Sequence, residues 1–190
     1  FSAVPWLHVN INAERFTNEN VGYQHLATAV AMQPEHRAFQ IIDSHLLEHA
    51  TEYTNGGRPG DAKALEAGVE AGQILKADTI DDLAKQAGLD ATKLKATIDR
   101  YNELVDKGYD EDFGMDSKFF VFNGIKDAPF YAIERMPAKL AVCGGLACEE
   151  HCQVLNEAGE PIEGLYAAGN VQGSFFGYDY PVVGFGGFSL

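Results

Sequence analysis

Pro161-Ile162-Glu163-Gly164-Leu165-Tyr166-Ala167-Ala168-Gly169-Asn170 is the stretch on which the fold reading turns. Its apolar residues leave a polar turn, Asn156 to Gly159, and run as a strand into the small residues Ala167, Ala168 and Gly169. Small residues ending a strand mark a tight turn where backbone must come close to something else. Gln153-Val154-Leu155, before the polar turn, and Pro161 to Leu165, after it, pair as a predicted hairpin that leads into the strand Leu165 to Ala168. Beyond Asn170 the chain carries Gly173, Gly177, Gly184, Gly186 and Gly187 against a single charged side chain, Asp179.

Upstream the character differs. Leu7, Val9 and Ile11 alternate with polar neighbours, a short strand that ends in the Asn12-Ala13-Glu14 turn. A helix is predicted from about Tyr23 to Met32, a buried strand over Ala38 to Asp43, and a loop over the glycine-rich Thr51 to Asp61. Three further helical patterns follow. Ala62 to Ala71 is the first; Thr79 caps the second, with Asp81 and Asp82 in its favourable first turn and a stop near Gly88. Asp90 caps the third, where Leu94, Ile98, Tyr101 and Val105 share one face before Gly108 ends it. Phe130 to Arg135 and Lys139 to Val142 read as strands. The expectation is therefore an α+β chain, with a helical and mixed lobe to about residue 136 and a β- and Gly-rich lobe over 137–190.

Composition sets limits. The 190 residues carry 28 acidic against 14 basic side chains, a formal net charge of -14. Such a field repels phosphate backbones, so no nucleic-acid partner is expected. No apolar run approaches the roughly 20 residues that span a bilayer. Cys143, Cys148 and Cys152 match neither zinc nor iron–sulfur spacing; no metal site is expected, and Cys143 and Cys148 read as small core residues. The chain opens without Met and stops where a helix would start, so a piece of a longer protein is the expectation, with the compartment left open.

Three blocks, in order, resemble one family. Val9-Asn10-Ile11-Asn12-Ala13-Glu14-Arg15-Phe16-Thr17-Asn18-Glu19 is similar to the "VN-x-x-G-x-RF-x-NE" segment of FAD-dependent fumarate reductases, flavocytochromes c and 3-ketosteroid dehydrogenases. Lys76 through Thr79-Ile80-Asp81-Asp82-Leu83-Ala84 to Tyr101-Asn102 resembles the helices of that family's clamp domain. Gly144-Gly145-Leu146 with Pro161 to Asn170 resembles the turn and strand that return the chain to the flavin domain. The resemblance implies a clamp (capping) domain over residues 1–136, followed over 137–190 by the C-terminal strands of an FAD-binding α/β domain. The nucleotide-binding half, with its phosphate-binding glycine fingerprint, is absent from this sequence and is the implied partner.

The same resemblance implies the site. Gly169, Asn170, Gly186, Gly187, Ser189 and Leu190 would meet FAD: Asn170 at a ribityl hydroxyl, the glycines against the ring, and a helix start at Phe188 to Leu190 facing the flavin N1/O2 region. The Arg and His residues that hold a dicarboxylate in fumarate reductases fall near Leu46 or Leu47, near Ala141 and within Tyr180 to Val183, and are missing. Instead, Tyr180-Pro181-Val182-Val183-Gly184 is similar to the "YP-x-x-G" segment of 3-ketosteroid dehydrogenases, where a Tyr hydroxyl and a Gly N–H polarise a ketone oxygen. Tyr180 and Gly184 inherit those roles. His45 is the acid–base candidate beside the lost Arg position. Arg15 and Glu19 read as structural hydrogen-bonding partners. The implied substrate is a small molecule with a C=C bond conjugated to a carbonyl.

Overall fold

The computed structural model describes residues 6–47, 62–120, 124–138 and 144–173. The chain mixes helix and sheet and divides into two compact units. One runs through Val21 and from Leu26 to Pro137; the other takes Gly22–His25 and the chain from Ala138.

The first unit is built on a four-stranded antiparallel sheet. In chain order its elements are β1 (His8–Asn10), α1 (Tyr23–Ala31, of which this unit holds the part from Leu26), β2 (Ala38–Ile42), α2 (Ala62–Glu70), β3 (Ile74–Ala77), α3 (Ile80–Ala87), α4 (Ala91–Lys107), α5 (Ser117–Phe120) and β4 (Phe130–Arg135). The spatial order is β1-β2-β4-β3. Registers such as Val9 opposite Phe39 and Ile41 opposite Ala132 place alternate residues on opposite faces. Leu7, Val9, Phe39, Ile41, Phe130 and Ala132 form one core with the apolar sides of α3 and α4. Trp6, Ile42, Ile74, Tyr131 and Ile133 form a second core with Leu65 of α2. Both faces are therefore covered, which explains why β1 and β2 are buried at every position instead of alternately.

The caps fall where the sequence places them. Thr79 Oγ1 accepts the Asp82 N–H at 3.1 Å, and Asp90 Oδ1 accepts that of Lys93 at 3.0 Å. Gly88 and Gly108 end α3 and α4 with φ of 71° and 80°. Leu94, Ile98, Tyr101 and Val105 are buried along α4, joined by Leu104. β3 was not foreseen as a strand. It is only four residues long and half exposed, and pairing with β4, from Ile74 opposite Ile133 to Ala77 opposite Phe130, gives it strand form. The opening strand turns at Asn10, whose Oδ1 accepts the N–H groups of Asn12 at 2.9 Å and Glu14 at 3.1 Å.

In the second unit, β5 (Gln153–Leu155) and β6 (Pro161–Tyr166) form the expected hairpin. Asn156 Oδ1 accepts from Ala158 N at 2.9 Å and Glu160 N at 3.0 Å, which fixes the turn. Cys148 is half-buried instead of a core residue, because it lies on an isolated bridge to Val154 at the hairpin margin; Cys143 and Lys139 to Val142 lie outside the described residues. No helix among the described residues is long and apolar enough to cross a membrane.

Candidate functional site

β2 ends in Asp43-Ser44-His45, and this end of the sheet carries the acid–base candidate. Asp43 is buried, and its carboxylate organises the corner: Oδ1 accepts the His45 N–H at 3.0 Å, while Oδ2 accepts those of Lys126 at 3.0 Å and Asp127 at 3.2 Å. The His45 ring meets Asp127, with Nε2 3.0 Å from Oδ2. Asn102 secures the 124–127 loop from α4, through Nδ2 to the Ile125 carbonyl and Oδ1 from the Ile125 N–H, both at 2.8 Å. Asp127 was not foreseen as a partner. Its only sequence signal is an acidic residue shortly before the Phe130 strand, 82 positions from His45.

Arg15 and Glu19 are hydrogen-bonded as expected, and the structure adds a third member. Arg15 forks to Glu19 (2.9 and 2.7 Å) and to Asp110 (2.9 and 2.7 Å). Asp110 also accepts N–H groups from Asp112, Phe113 and Met115. Burial alone would raise the Asp110 carboxyl, but the Arg15 fork and the Met115 and Phe113 N–H groups outweigh it and hold it below the usual range. Burial pushes Glu19 up, against the pull of Arg15. A cavity of about 330 Å³ beside α4 is lined by Arg15, Thr97, Arg100, Tyr101 and Phe113 among others. Arg100 is met by Asp112 and Glu111, so neither guanidinium there is left uncompensated for an anionic ligand. Arg37 is likewise matched, by Glu35 and Glu134.

In the second unit, β6 runs through Ala167 and Ala168 into a short 3-10 turn, Gly169–Val171. Gly144-Gly145-Leu146 lies alongside it: Leu146 N donates to the Val171 carbonyl and Gly173 N to the Leu146 carbonyl, both at 2.9 Å, with a parallel bridge between Leu146 and Gln172. At Gly145 a Cβ would meet the Val171 carbonyl oxygen and lie 2.7 Å from Gly173 N; at Gly173 it would lie 2.7 Å from Gly145 N and O. These neighbours are backbone and cannot swing aside. Gly145→Ala is expected to cost about 1–3 kcal/mol, read as a lower thermal midpoint of this unit; an unchanged midpoint would show that the two turns separate at little cost.

The sequence of the FAD binding domain family matches residues 6–184 of this chain. The chain belongs to that family. Among the curated relatives of this chain, the vinyl phenol reductase of Lactiplantibacillus plantarum is 31% identical over 93% of the chain and 38% of its own length. The crystal structure of the 3-ketosteroid delta1-dehydrogenase from Sterolibacterium denitrificans with 1,4-androstadiene-3,17-dione aligns with a TM-score of 0.75 at 27% identity, over 92% of this chain and 34% of that one. The open conformation of a flavocytochrome c3 fumarate reductase aligns with a TM-score of 0.63 at 29% identity, over 93% and 29%. The chain thus spans about a third of the length of these three proteins.

FAD is the cofactor of the family. The described residues fit it at one observable place, the paired turns at Gly144–Leu146 and Gly169–Gly173. There Gly144 has open space where a Cβ would stand, and Gly145 and Gly173 pack backbone on backbone. Asn170 lies within the Gly169–Val171 turn. Tyr180, Gly184, Gly186, Gly187, Ser189 and Leu190 lie outside the described residues. Among the described residues no group of His, Cys, Asp and Glu could hold a metal ion.

Proposed function

We propose that this chain is the clamp domain (1–136) and the C-terminal flavin-domain strands (137–190) of an FAD-dependent oxidoreductase. Its substrate would carry a C=C bond conjugated to a carbonyl and would not be a dicarboxylate. One resemblance supports the reading: in a chain whose family match runs from residue 6 to 184, Tyr180-Pro181-Val182-Val183-Gly184 is similar to the "YP-x-x-G" segment of 3-ketosteroid dehydrogenases and carries no dicarboxylate-binding Arg. FAD, when bound, supplies hydride exchange at its N5. Gly169 and Asn170 would hold its ribityl side, with Gly186, Gly187, Ser189 and Leu190 beside the ring. The Tyr180 hydroxyl and the Gly184 N–H both donate to the carbonyl oxygen, where charge builds as hydride reaches the β-carbon; two convergent donors in a dry site are worth several kcal/mol there. His45 handles the proton at the α-carbon.

A second reading is favoured by β6. It pairs only with β5 among the described residues, and its Ile162, Leu165 and Tyr166 are exposed. A strand so uncovered suits a sheet completed elsewhere, which supports a requirement for the nucleotide-binding half of a flavin domain and a catalytically silent chain without it. The isolated chain is then expected to be colourless. With that half present, flavin absorbance should appear in equal proportion to protein. After chemical reduction, the flavin should be reoxidised faster by 1,4-androstadiene-3,17-dione than by fumarate. Tyr180→Phe should slow reoxidation about 10²–10³-fold, the usual effect of losing one oxyanion donor. Fastest reoxidation by fumarate would establish the dicarboxylate reading instead.

A further inference from the structure

Two exposed side chains paired as His45 and Asp127 are, with 47% and 64% of their surfaces accessible, ordinarily contribute little, and such pairs form and break freely. This pair differs because both backbones are tied to one buried carboxylate. Asp43, 5% exposed, takes the N–H groups of His45, Lys126 and Asp127. Ser44 adds its own N–H and its hydroxyl, each 3.1 Å from the Asp127 carbonyl oxygen. Asn102 then anchors Ile125 from the far side of the loop. Four hydrogen bonds thus lock the His45 turn to the Asp127 loop before the side chains meet. What remains is to order one imidazole and one short carboxylate, a small entropic cost.

We propose that Asp127 is the positioning residue of His45. It accepts the Nε2–H, fixes the ring's tautomer and direction, and leaves exchange with the substrate to Nδ1, the nitrogen it does not hold. The inference rests on the reading above that His45 handles the proton. In the reductive direction the N–H bond at Nδ1 breaks and its electron pair stays on the ring. The proton forms a C–H bond with the electron pair that hydride arrival leaves on the substrate's α-carbon. The imidazolium becomes neutral imidazole with Nε2–H still donated to Asp127, which takes no proton in the step. A carboxylate that only orients the ring is enough for this role.

Two measurements test it. In the unliganded chain, ¹⁵N spectra of the His45 ring should show the neutral form held as the Nε2–H tautomer alone, and Asp127→Ala should return it to the mixture of a free imidazole, in which Nε2–H is only the major form; the same tautomer ratio in both proteins overturns the hold. In the FAD-loaded protein with its nucleotide-binding half, 1,4-androstadiene-3,17-dione serves as the oxidant of the reduced flavin. Asp127→Asn, which is isosteric and keeps the loop, should lower the rate about 10-fold or more with KM unchanged, a share of the 10²–10⁴-fold typical of an acid–base group. Asp127→Glu should restore most of it. If His45→Gln is slow and Asp127→Asn and Asp127→Ala run at the parent rate, the positioning role is wrong and the His45 reading stands. If His45→Gln itself runs at the parent rate, the His45 reading fails, and the dyad with it.

Discussion

Arg15→Ala is expected to destabilise the first unit by about 3–5 kcal/mol, the usual consequence of removing one partner from a buried ion pair. The guanidinium makes four hydrogen bonds to two carboxylates whose side chains are fully buried, and is itself nearly so. It also lies over the rings of Tyr101 and Phe113, 4.9 Å from each centroid. Removal strands Glu19 and Asp110 in the interior, and the cost comes from those two desolvated charges more than from lost attraction. In urea the midpoint should fall with the slope unchanged, and the thermal midpoint should drop on the order of 10–20 °C. Arg15→Lys should lose most of the same stability, since a point charge cannot fork to both acids. Glu19→Gln in the Arg15→Ala background should recover part of the loss. A change below about 1 kcal/mol in Arg15→Ala would mean that water reaches both acids and that the triad is not a buried network.

Acid should weaken the same unit through His8. Burial is the main cause that lowers this imidazole from 6.5 to about 4, with the charges of Arg135 and Arg15 adding to it and the Trp6 carbonyl opposing. The ring Nδ1 lies 2.8 Å from that carbonyl oxygen, so Nδ1 carries the proton of the neutral form. In the unfolded chain the group protonates near 6.5. Between those values the unfolded state holds one more proton, so the contribution is complete above pH 6.5 and is lost as pH falls towards 4. The slope is about 1.4 kcal/mol per pH unit, and the whole loss is about 3 kcal/mol. Glu19, raised by burial, acts in the opposite sense, and Asp110, held low, adds its loss only below the ordinary carboxylate range. Urea titrations at a series of pH values would measure the slope, and His8→Gln should flatten it. A parent protein equally stable at pH 7 and pH 4.5 would sink this account.

Local signals were well preserved in the sequence because their physics is local. Thr79, Asp90, Gly88 and Gly108 punctuate α3 and α4 through hydrogen bonds and backbone angles spanning a few residues. The Asn156 turn is of the same kind. β3 escaped because a short edge strand is made by its neighbour, and the half-exposed Cys148 because burial depends on what lies opposite. Asp110 carried a faint signal, an Asp two residues past a helix stop and followed by the Phe113-Gly114 turn, but nothing near it names Arg15, 95 positions away.

The sequence by itself determined the family, helices α1 to α4 but not the short α5, the closing hairpin and the list of candidate residues, since motif order and periodicity are properties of the chain alone. Only the tertiary structure decided that the acid–base candidate has a carboxylate partner, that Arg15 serves two acids, and that the glycines of two distant turns meet at Gly145 and Gly173. Each of those facts includes a contact between residues far apart in the chain, Asp110 being the distant partner of Arg15. The His45–Asp127 contact follows from the antiparallel register of β2 with β4 and the Gly145–Gly173 contact from the side-by-side run of Leu146 with Gln172, and no local pattern encodes either.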